Sequence, residues 1–305
     1  MKLLVINNIA SGFGEGAIYD FIRAFTKDGD QISIRSTDGT TDLTNFLNDA
    51  HKFDVVVASG GDGTIAAVSY YLRNTNIPIL PFPAGTANLL ALNLESPVET
   101  HALSKLAREG KQLNFDMGEI NIGGKKRGFS IMAGAGYDSI IMKDAQSKKH
   151  ILGPLAYYSA ALSNPTPPVS HLDLTIDGKH FESEGVGILI ANFSKIQFDL
   201  SITHHNRPRD GKLDVIVLKA NHTLELLPSI VAAALDRDGE HPDRGEAIEV
   251  HSGKTITVQA DPPMEVQYDG EITEHTTPFT VSIIEDATRF ILSDTGYKIF
   301  SKKDN

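Results

Sequence analysis

Ala58-Ser59-Gly60-Gly61-Asp62-Gly63-Thr64 follows the apolar run Val55-Val56-Val57 and precedes a segment of helical character. A strand that breaks into glycines and then starts a helix lets backbone N–H groups close around phosphate oxygens, at a helix end whose dipole favours negative charge. A carboxylate at that junction can hold Mg²⁺ directly or through water. The simpler alternative is a tight turn, but two residues suffice for one, and an acid among three glycines sacrifices backbone order without a packing gain. The stretch therefore reads as a phosphate-binding loop between strand and helix.

Working outward, the first third alternates strand and helix patterns. Strands are expected at Lys2 to Asn7, Gln31 to Ser36, Phe53 to Ala58 and Ile77 to Phe82. Between and after them come helices at Gly16 to Thr26, Thr41 to Ala50, Thr64 to Arg73 and Thr86 to Leu94, with a further one near Val98 to Arg108. Alternation with short loops implies a parallel sheet covered by helices on both faces, with ligands at the carboxyl ends of the strands. The loops richest in glycine and hydroxyl groups all fall there: Asn8 to Gly16, Thr37 to Thr40, Gly60 to Thr64 and Pro83 to Asn88.

Farther on the texture turns β-rich, with strands expected at Phe115 to Ile122, Gly128 to Ala133, His171 to Ile176, Val186 to Ala191, Leu213 to Leu218 and Thr255 to Gln259. Helical stretches interrupt them around Ser139 to Ser147, Ala156 to Leu162 and His222 to Leu235. A chain of 305 residues fits two domains. The expected architecture is α/β: an N-terminal parallel-sheet, Rossmann-like domain over residues 1–115 and a C-terminal β-sandwich domain over 116–305, whose last segment can return to the first domain.

Composition removes whole classes of chemistry. With no cysteine there are no disulfides, thiolate zinc sites, iron–sulfur clusters or cysteine nucleophiles. A net charge of −11 makes a poor general nucleic-acid binder, and it repels anionic headgroups, so membrane contact is expected to be local and partly apolar. No stretch approaches the roughly 18 apolar residues of a membrane span, and no secretory signal is recognisable at Met1 to Ile6. A cytoplasmic protein is the expectation.

Other segments carry polar groups suited to a site. Pro81-Phe-Pro-Ala-Gly-Thr-Ala-Asn88 places Gly85 for close approach and offers Thr86 and Asn88; helix capping by Thr86 is the plain reading, and both can hold. Asp269-Gly270-Glu271 ends an alternating strand with two carboxylates, either a hairpin turn with solvated acids or a general base near a transferring phosphoryl group. Asp238-Gly239-Glu240 repeats the tripeptide in a charged loop. Asp210-Gly211 is equally a turn or a cation site.

In this order the loops resemble the catalytic family of diacylglycerol and sphingosine kinases, in its bacterial lipid-kinase branch. The resemblance spans nearly the whole chain. It rests on Asn8-x-x-Ser11-Gly12, Gly60-Gly61-Asp62-Gly63-Thr64, Pro83-x-Gly85-Thr86-x-Asn88, Phe115-Asp116-Met117-Gly118, Gly134-x-Gly136-Tyr137-Asp138, Asp210-Gly211-x-Leu213-Asp214 and Asp269-Gly270-Glu271. It implies ATP- and Mg²⁺-dependent transfer of the γ-phosphoryl group to a lipid hydroxyl, diacylglycerol or a related long-chain alcohol first among them.

By the same resemblance Asn8, Ser11, Gly12, Thr37, Gly60, Gly61, Asp62, Gly63, Thr64, Ile65, Ala66, Gly85, Thr86 and Asn88 hold the nucleotide. Asp62 organises phosphates and Mg²⁺, Glu271 deprotonates the acceptor hydroxyl with Asp269 in support, and Arg207, Asp210 and Lys212 surround a structural Mg²⁺. The implied setting is the cytoplasm, peripheral at the membrane that carries the lipid, with a homodimer allowed. Three departures stand out: Ile9 where the family usually has proline, Leu89 where an acid often follows Asn88, and Phe193-Ser-Lys-Ile-Gln-Phe-Asp199 in place of a glycine-rich stretch.

Rival readings are an NAD kinase, which shares Gly-Gly-Asp-Gly, and a nucleotide- or lipid-binding homologue with little turnover. A dinucleotide-dependent oxidoreductase built on Gly12 to Gly16 would need an acidic ribose partner after the second strand, where Asp38 is the one loose candidate.

Overall fold

The computed structural model describes residues 1–11, 16–137, 139, 167–193, 207–219 and 247–301. The chain divides into two compact units, Met1–Met117 together with Ile284–Asn305, and Gly118–Ile283. The helices expected at Ala156 to Leu162 and His222 to Leu235, nearly all of Ser139 to Ser147, and the second Asp-Gly-Glu tripeptide lie outside the described residues.

In the first unit, strands β1 (Lys2–Asn8), β2 (Gln31–Thr37), β3 (Val55–Gly60) and β4 (Pro78–Pro83) alternate with helices α1 (Ala17–Phe25), α2 (Thr44–Leu47), α3 (Asp62–Tyr71), α4 (Leu89–Asn93) and α5 (Thr100–Glu109). The sheet runs β2-β1-β3-β4 with every pair parallel. The chain returns late: β16 (Phe279–Leu292) adds parallel to β4 through Arg289 and Phe290, and α6 (Asp294–Phe300) follows it. All six residues of β3 are buried, as a central strand covered on both faces requires. One core lies between the sheet and the pair α1 and α5, where Phe21, Phe25, Leu103 and Leu106 meet Val5, Val57 and Phe82.

Sequence and structure differ at several helix starts. The helix expected from Thr41 shrinks to the single turn α2 followed by a 3₁₀ turn, Ala50–Lys52. Asp38 and Asp42 capture the backbone N–H and hydroxyl groups of Thr40, Thr41 and Thr44, offering the chain local hydrogen bonds in place of a helical ladder. Conversely, α3 begins at Asp62 with Gly61 as its N-cap, two residues before the expected Thr64.

The second unit is antiparallel. One sheet has the order β12-β11-β10-β7-β14-β15, from Ile248–Gly253, Leu213–Leu218, Gly187–Ala191, Met132–Gly136, Glu265–Tyr268 and Glu271–Thr276. The other sheet contributes β16-β13-β8-β9, with β13 (Thr255–Asp261), β8 (Ser170–Ile176) and β9 (Lys179–Gly185), plus the hairpin of β5 (Lys111–Ile122) and β6 (Lys125–Phe129). Leu172, Leu174, Ile256 and Val281 from this face share one core with Ile188, Ile190, Val215 and Val266 from the six-stranded sheet, which makes a β-sandwich. The single strand expected at Gly128 to Ala133 is in fact the end of β6 and the start of β7, on different sheets, joined at Ser130-Ile131. Strand β9, with only Gly185 buried along Lys179–Gly185, carries no alternation of buried apolar residues.

Candidate active site

The first cluster occupies the carboxyl ends of β1, β2, β3 and β4, where a parallel sheet presents its loops. Asn8 ends β1, and its Nδ2 donates to Thr64 Oγ1 at 2.8 Å while its Oδ1 accepts from the Ala10 N–H at 3.0 Å. The Ser11 hydroxyl accepts from the N–H of Gly61 at 3.3 Å. Thr37, buried at the end of β2, accepts on its hydroxyl from the Gly39 N–H, and its carbonyl accepts from the Ile9 N–H. Sequence-distant loops are thus laced together, and Asn8, Ser11, Thr37, Gly61 and Thr64 belong to one connected group. Gly12 lies outside the described residues.

Glycine is required at Gly60, where a Cβ would meet the Thr64 side chain at 2.6 Å. Asn88 caps the next loop in a left-handed conformation, φ 51°, and folds its amide back on Gly85, accepting from its N–H at 2.8 Å and donating to its carbonyl at 3.0 Å. Thr86, the expected cap, is exposed, and helix α4 starts at Leu89. The cap comes instead from another helix. Asp62 Oδ1 accepts from the Leu90 N–H at 2.9 Å and Oδ2 from the Leu89 N–H at 3.1 Å.

Desolvation in this crevice pushes the Asp62 carboxyl above the ordinary carboxylate range, against the opposing pull of the Leu90 and Leu89 N–H groups. Gly63, Ile65 and Ala66 follow in the first turns of α3, with Ile65 and Ala66 buried in the unit's core. Asp38 is not poised for a ribose: its Oδ1 accepts from Thr40 and Thr41, both backbone and hydroxyl.

The second cluster belongs to the other unit. Asp269 and Gly270, at φ 43° and 84°, form the two-residue turn between β14 and β15, with Tyr268 paired to Glu271. Two successive left-handed residues fit a hairpin whose turn matches the strand twist. Glu271 is exposed at the start of β15. Asp269 is engaged: its Oδ2 accepts from the Ser130 N–H at 2.6 Å, and its Oδ1 from the N–H groups of Ile131 and Met132 at 2.9 and 3.0 Å. Beside it the Tyr268 phenol is raised chiefly by burial, with Arg127 opposing and the Glu271 charge reinforcing.

Arg207, Asp210 and Lys212 share one turn, in which the Asp210 N–H reaches the Arg207 carbonyl at 3.4 Å and the Asp210 carboxylate accepts from the Lys212 N–H at 2.9 Å. Among the described residues no group of three or more His, Asp or Glu side chains is arranged to hold a metal ion.

Two further motifs have structural causes. Asp116 accepts from the Asp286 N–H at 2.8 Å, fixing a left-handed residue within β16, and Gly118 lies against the Phe129 ring where no Cβ fits. Gly136, at φ 89°, runs beside Gly187 too closely for any side chain. The partners that sequence reasoning missed are backbone groups, the N–H donors of residues 89, 90 and 130–132. Backbone donors carry no residue-type signature.

One unit carries a glycine-rich helix start at a parallel sheet edge and the other a β-sandwich bearing an exposed carboxylate, parts suited to a phosphotransferase. Residues 2–120 match the diacylglycerol kinase catalytic domain, and residues 131–292 match the YegS C-terminal NAD kinase beta sandwich-like domain. The chain belongs to the bacterial lipid kinase family, and it is a kinase.

A diacylglycerol kinase of Bacillus subtilis is 29% identical over 265 residues, covering 82% of each chain. An uncharacterized protein of Synechocystis, sll0036, is 27% identical over 249 residues, which span 79% of this chain but 55% of that protein. A crystal structure of a diacylglycerol kinase from Bacillus anthracis has a TM-score of 0.71 at 22% identity, covering 96% of this chain and 97% of that one. An Archaeoglobus fulgidus NAD kinase solved with ATP is more distant, at 14% identity and a TM-score of 0.54, over 98% of this chain and 96% of that one. These two structures bear on the fold alone.

Proposed function

We propose that the chain transfers the γ-phosphoryl group of ATP to a lipid hydroxyl, with diacylglycerol or a related long-chain alcohol as acceptor. The observation that carries this reading is the lacing of Asn8, Ser11, Gly61 and Thr64 into one group at the carboxyl edge of the parallel sheet. There the start of α3 presents its positive dipole end, which favours an anion. Gly60, Gly63 and Gly85 keep the backbone bare for close approach. Thr37, Thr86, Ile65 and Ala66 complete the proposed nucleotide-binding set, and Asn88 braces Gly85 from below.

The residues fit Mg²⁺ in the manner such an ion prefers, with one or two carboxylates and the nucleotide's own phosphates in place of an all-protein cage. Asp62, already accepting from the Leu89 and Leu90 N–H groups, supplies the carboxylate that would hold the ion through a metal-bound water. When bound, the ion would neutralise charge on the phosphates. Arg207, Asp210 and Lys212 offer one carboxylate and adjacent carbonyls to a second, structural Mg²⁺.

Catalysis in this reading is positioning plus charge stabilisation, with a carboxylate taking the acceptor proton. Glu271 is proposed for that role because, of the two acids of the Asp269-Gly270-Glu271 turn, it is the one that stays exposed, whereas Asp269 is engaged by backbone groups. The protein would work at the membrane surface that presents the lipid. Among the described residues no helix is long and apolar enough to cross a membrane.

The test is incubation with γ-labelled ATP, Mg²⁺ and either a total lipid extract or NAD. Label in a chloroform-soluble phospholipid supports the proposal. Label in NADP, or none in either fraction, overturns it.

A further inference from the structure

We infer that Asp269 is a positioning residue rather than a proton acceptor: its carboxylate buckles the turn carrying Glu271 onto the segment Ser130–Met132. The inference rests on the phosphotransfer proposed above. Both oxygens of Asp269 point inward, onto three consecutive backbone N–H groups at 2.6, 2.9 and 3.0 Å, and its own N–H donates to the Met132 carbonyl at 2.8 Å. An ionised carboxylate gains most from donors that are fixed in place, and backbone N–H groups of a strand start are fixed.

The clasped segment is held from its other side as well. Asn192 Nδ2 donates to the Ser130 carbonyl at 2.9 Å, and the N–H groups of Asn192 and Phe193 reach the Ile131 carbonyl at 2.8 and 3.2 Å. Buried Gln267 completes the buckle by accepting from the Gly270 N–H at 3.1 Å. Residues 130–132, 191–193 and 267–271 therefore form one hydrogen-bonded unit inside the sandwich, with the Asp269 carboxylate at its centre and Glu271 as its outward-facing acid. A carboxylate placed in this way sets where a neighbouring base stands. Misplacing that base by about 1 Å can cost about 100-fold in rate.

The test compares Asp269→Asn, Glu271→Gln and the wild type in lipid phosphorylation across pH. Asparagine matches the shape and tolerates the left-handed backbone, but its NH₂ confronts the N–H donors. Asp269→Asn should lower kcat about 100-fold, leave KM for ATP within about twofold, and keep the acid limb of the pH–kcat profile that Glu271→Gln abolishes. An Asp269→Asn enzyme with wild-type kcat, or one that loses the acid limb while Glu271→Gln retains it, overturns the assignment.

Gly270→Ala disturbs the same turn at φ 84° without touching the carboxylate, and decides the matter if Asp269→Asn fails to fold. It should reproduce the kcat loss with the limb intact, and wild-type turnover in it refutes the idea. Amide exchange in the wild-type chain supplies a readout independent of activity. Protection of Ser130, Ile131 and Met132 equal to that of strand β7 is expected, and exchange as fast as in an exposed turn contradicts the buckle. A wild type that phosphorylates no lipid but shows that protection would sink the proposed function and leave the buckle standing as structure.

Discussion

Gly85 stands so close to Gly61 that a Cβ on residue 85 would run into the Gly61 Cα and come within 3.1 Å of its nitrogen, whereas a Cβ on residue 61 would meet the Gly85 Cα at 3.6 Å. The contact is asymmetric: one glycine is sterically compulsory and the other has room. Gly85→Ala should therefore push the two loops apart and weaken ATP binding by about tenfold or more, roughly 1.4 kcal/mol, with a lowered Tm. Gly61→Ala should lower Tm less. Calorimetric titration with ATP and thermal unfolding of both variants check the pair, and equal destabilisation by the two would contradict the steric account.

Asp62 caps the start of α4 from a different helix, so its removal should be felt there. In Asp62→Ala the N–H groups of Leu89 and Leu90 lose their acceptor, an effect of about 1–3 kcal/mol for buried donors. Amide exchange at residues 89 and 90 should accelerate selectively, and phosphoryl transfer should be lost. Unchanged exchange at these two amides would remove Asp62 from its capping role.

The loop after β2 carries a pH signature. Hydrogen bonds from the Thr40 N–H, the Thr41 and Thr40 hydroxyls and the Thr41 N–H pull the Asp38 carboxyl down to about 2. A depressed carboxylate adds stability above its unfolded value, about 3.9, and loses it as pH falls through the folded value. Asp38→Ala should therefore be less stable than the wild type at pH 7, and the difference should vanish as pH falls to about 2. Urea unfolding of both proteins across that range is the check.

Gly118 faces the Phe129 ring with no space for a side chain. Gly118→Ala should destabilise by about 1–3 kcal/mol through overpacking, measured by chemical denaturation. A Gly118→Ala, Phe129→Leu double variant should recover part of that loss, because the leucine is narrower at the point of collision.

How far the sequence could be read depended on whether side chains or backbone groups do the work. The alternation from β1 to β4 was legible because buried parallel strands are nearly continuous apolar runs, and Val55-Val56-Val57 is one of them. Asp62 was legible as more than a plain turn residue because an acid among glycines brings no packing gain, and the structure gives it the start of α4 to cap. Its partners Leu89 and Leu90 were not, because they act through N–H groups that every residue type shares.

The hairpin at Asp269 could be read in either of two ways from sequence; the structure shows the turn, in which Asp269 is engaged by backbone N–H groups and Glu271 is exposed. Strand β9 was missed because six of its seven residues are intermediate or exposed. Thr86 looked like a helix cap, yet the left-handed Asn88 and the remote carboxylate of Asp62 take that place, a tertiary interaction outranking a local preference.

The central claim is that this chain moves a phosphoryl group from ATP to a lipid hydroxyl with Glu271 taking the proton. The most direct measurement is the rate at which wild-type protein and Glu271→Gln transfer label from γ-labelled ATP into lipid at saturating Mg²⁺, alongside the ATP dissociation constant of each. The prediction is a loss of about 100-fold or more in rate with ATP affinity unchanged. Transfer by Glu271→Gln at the wild-type rate, or no lipid labelling by the wild type, would contradict it.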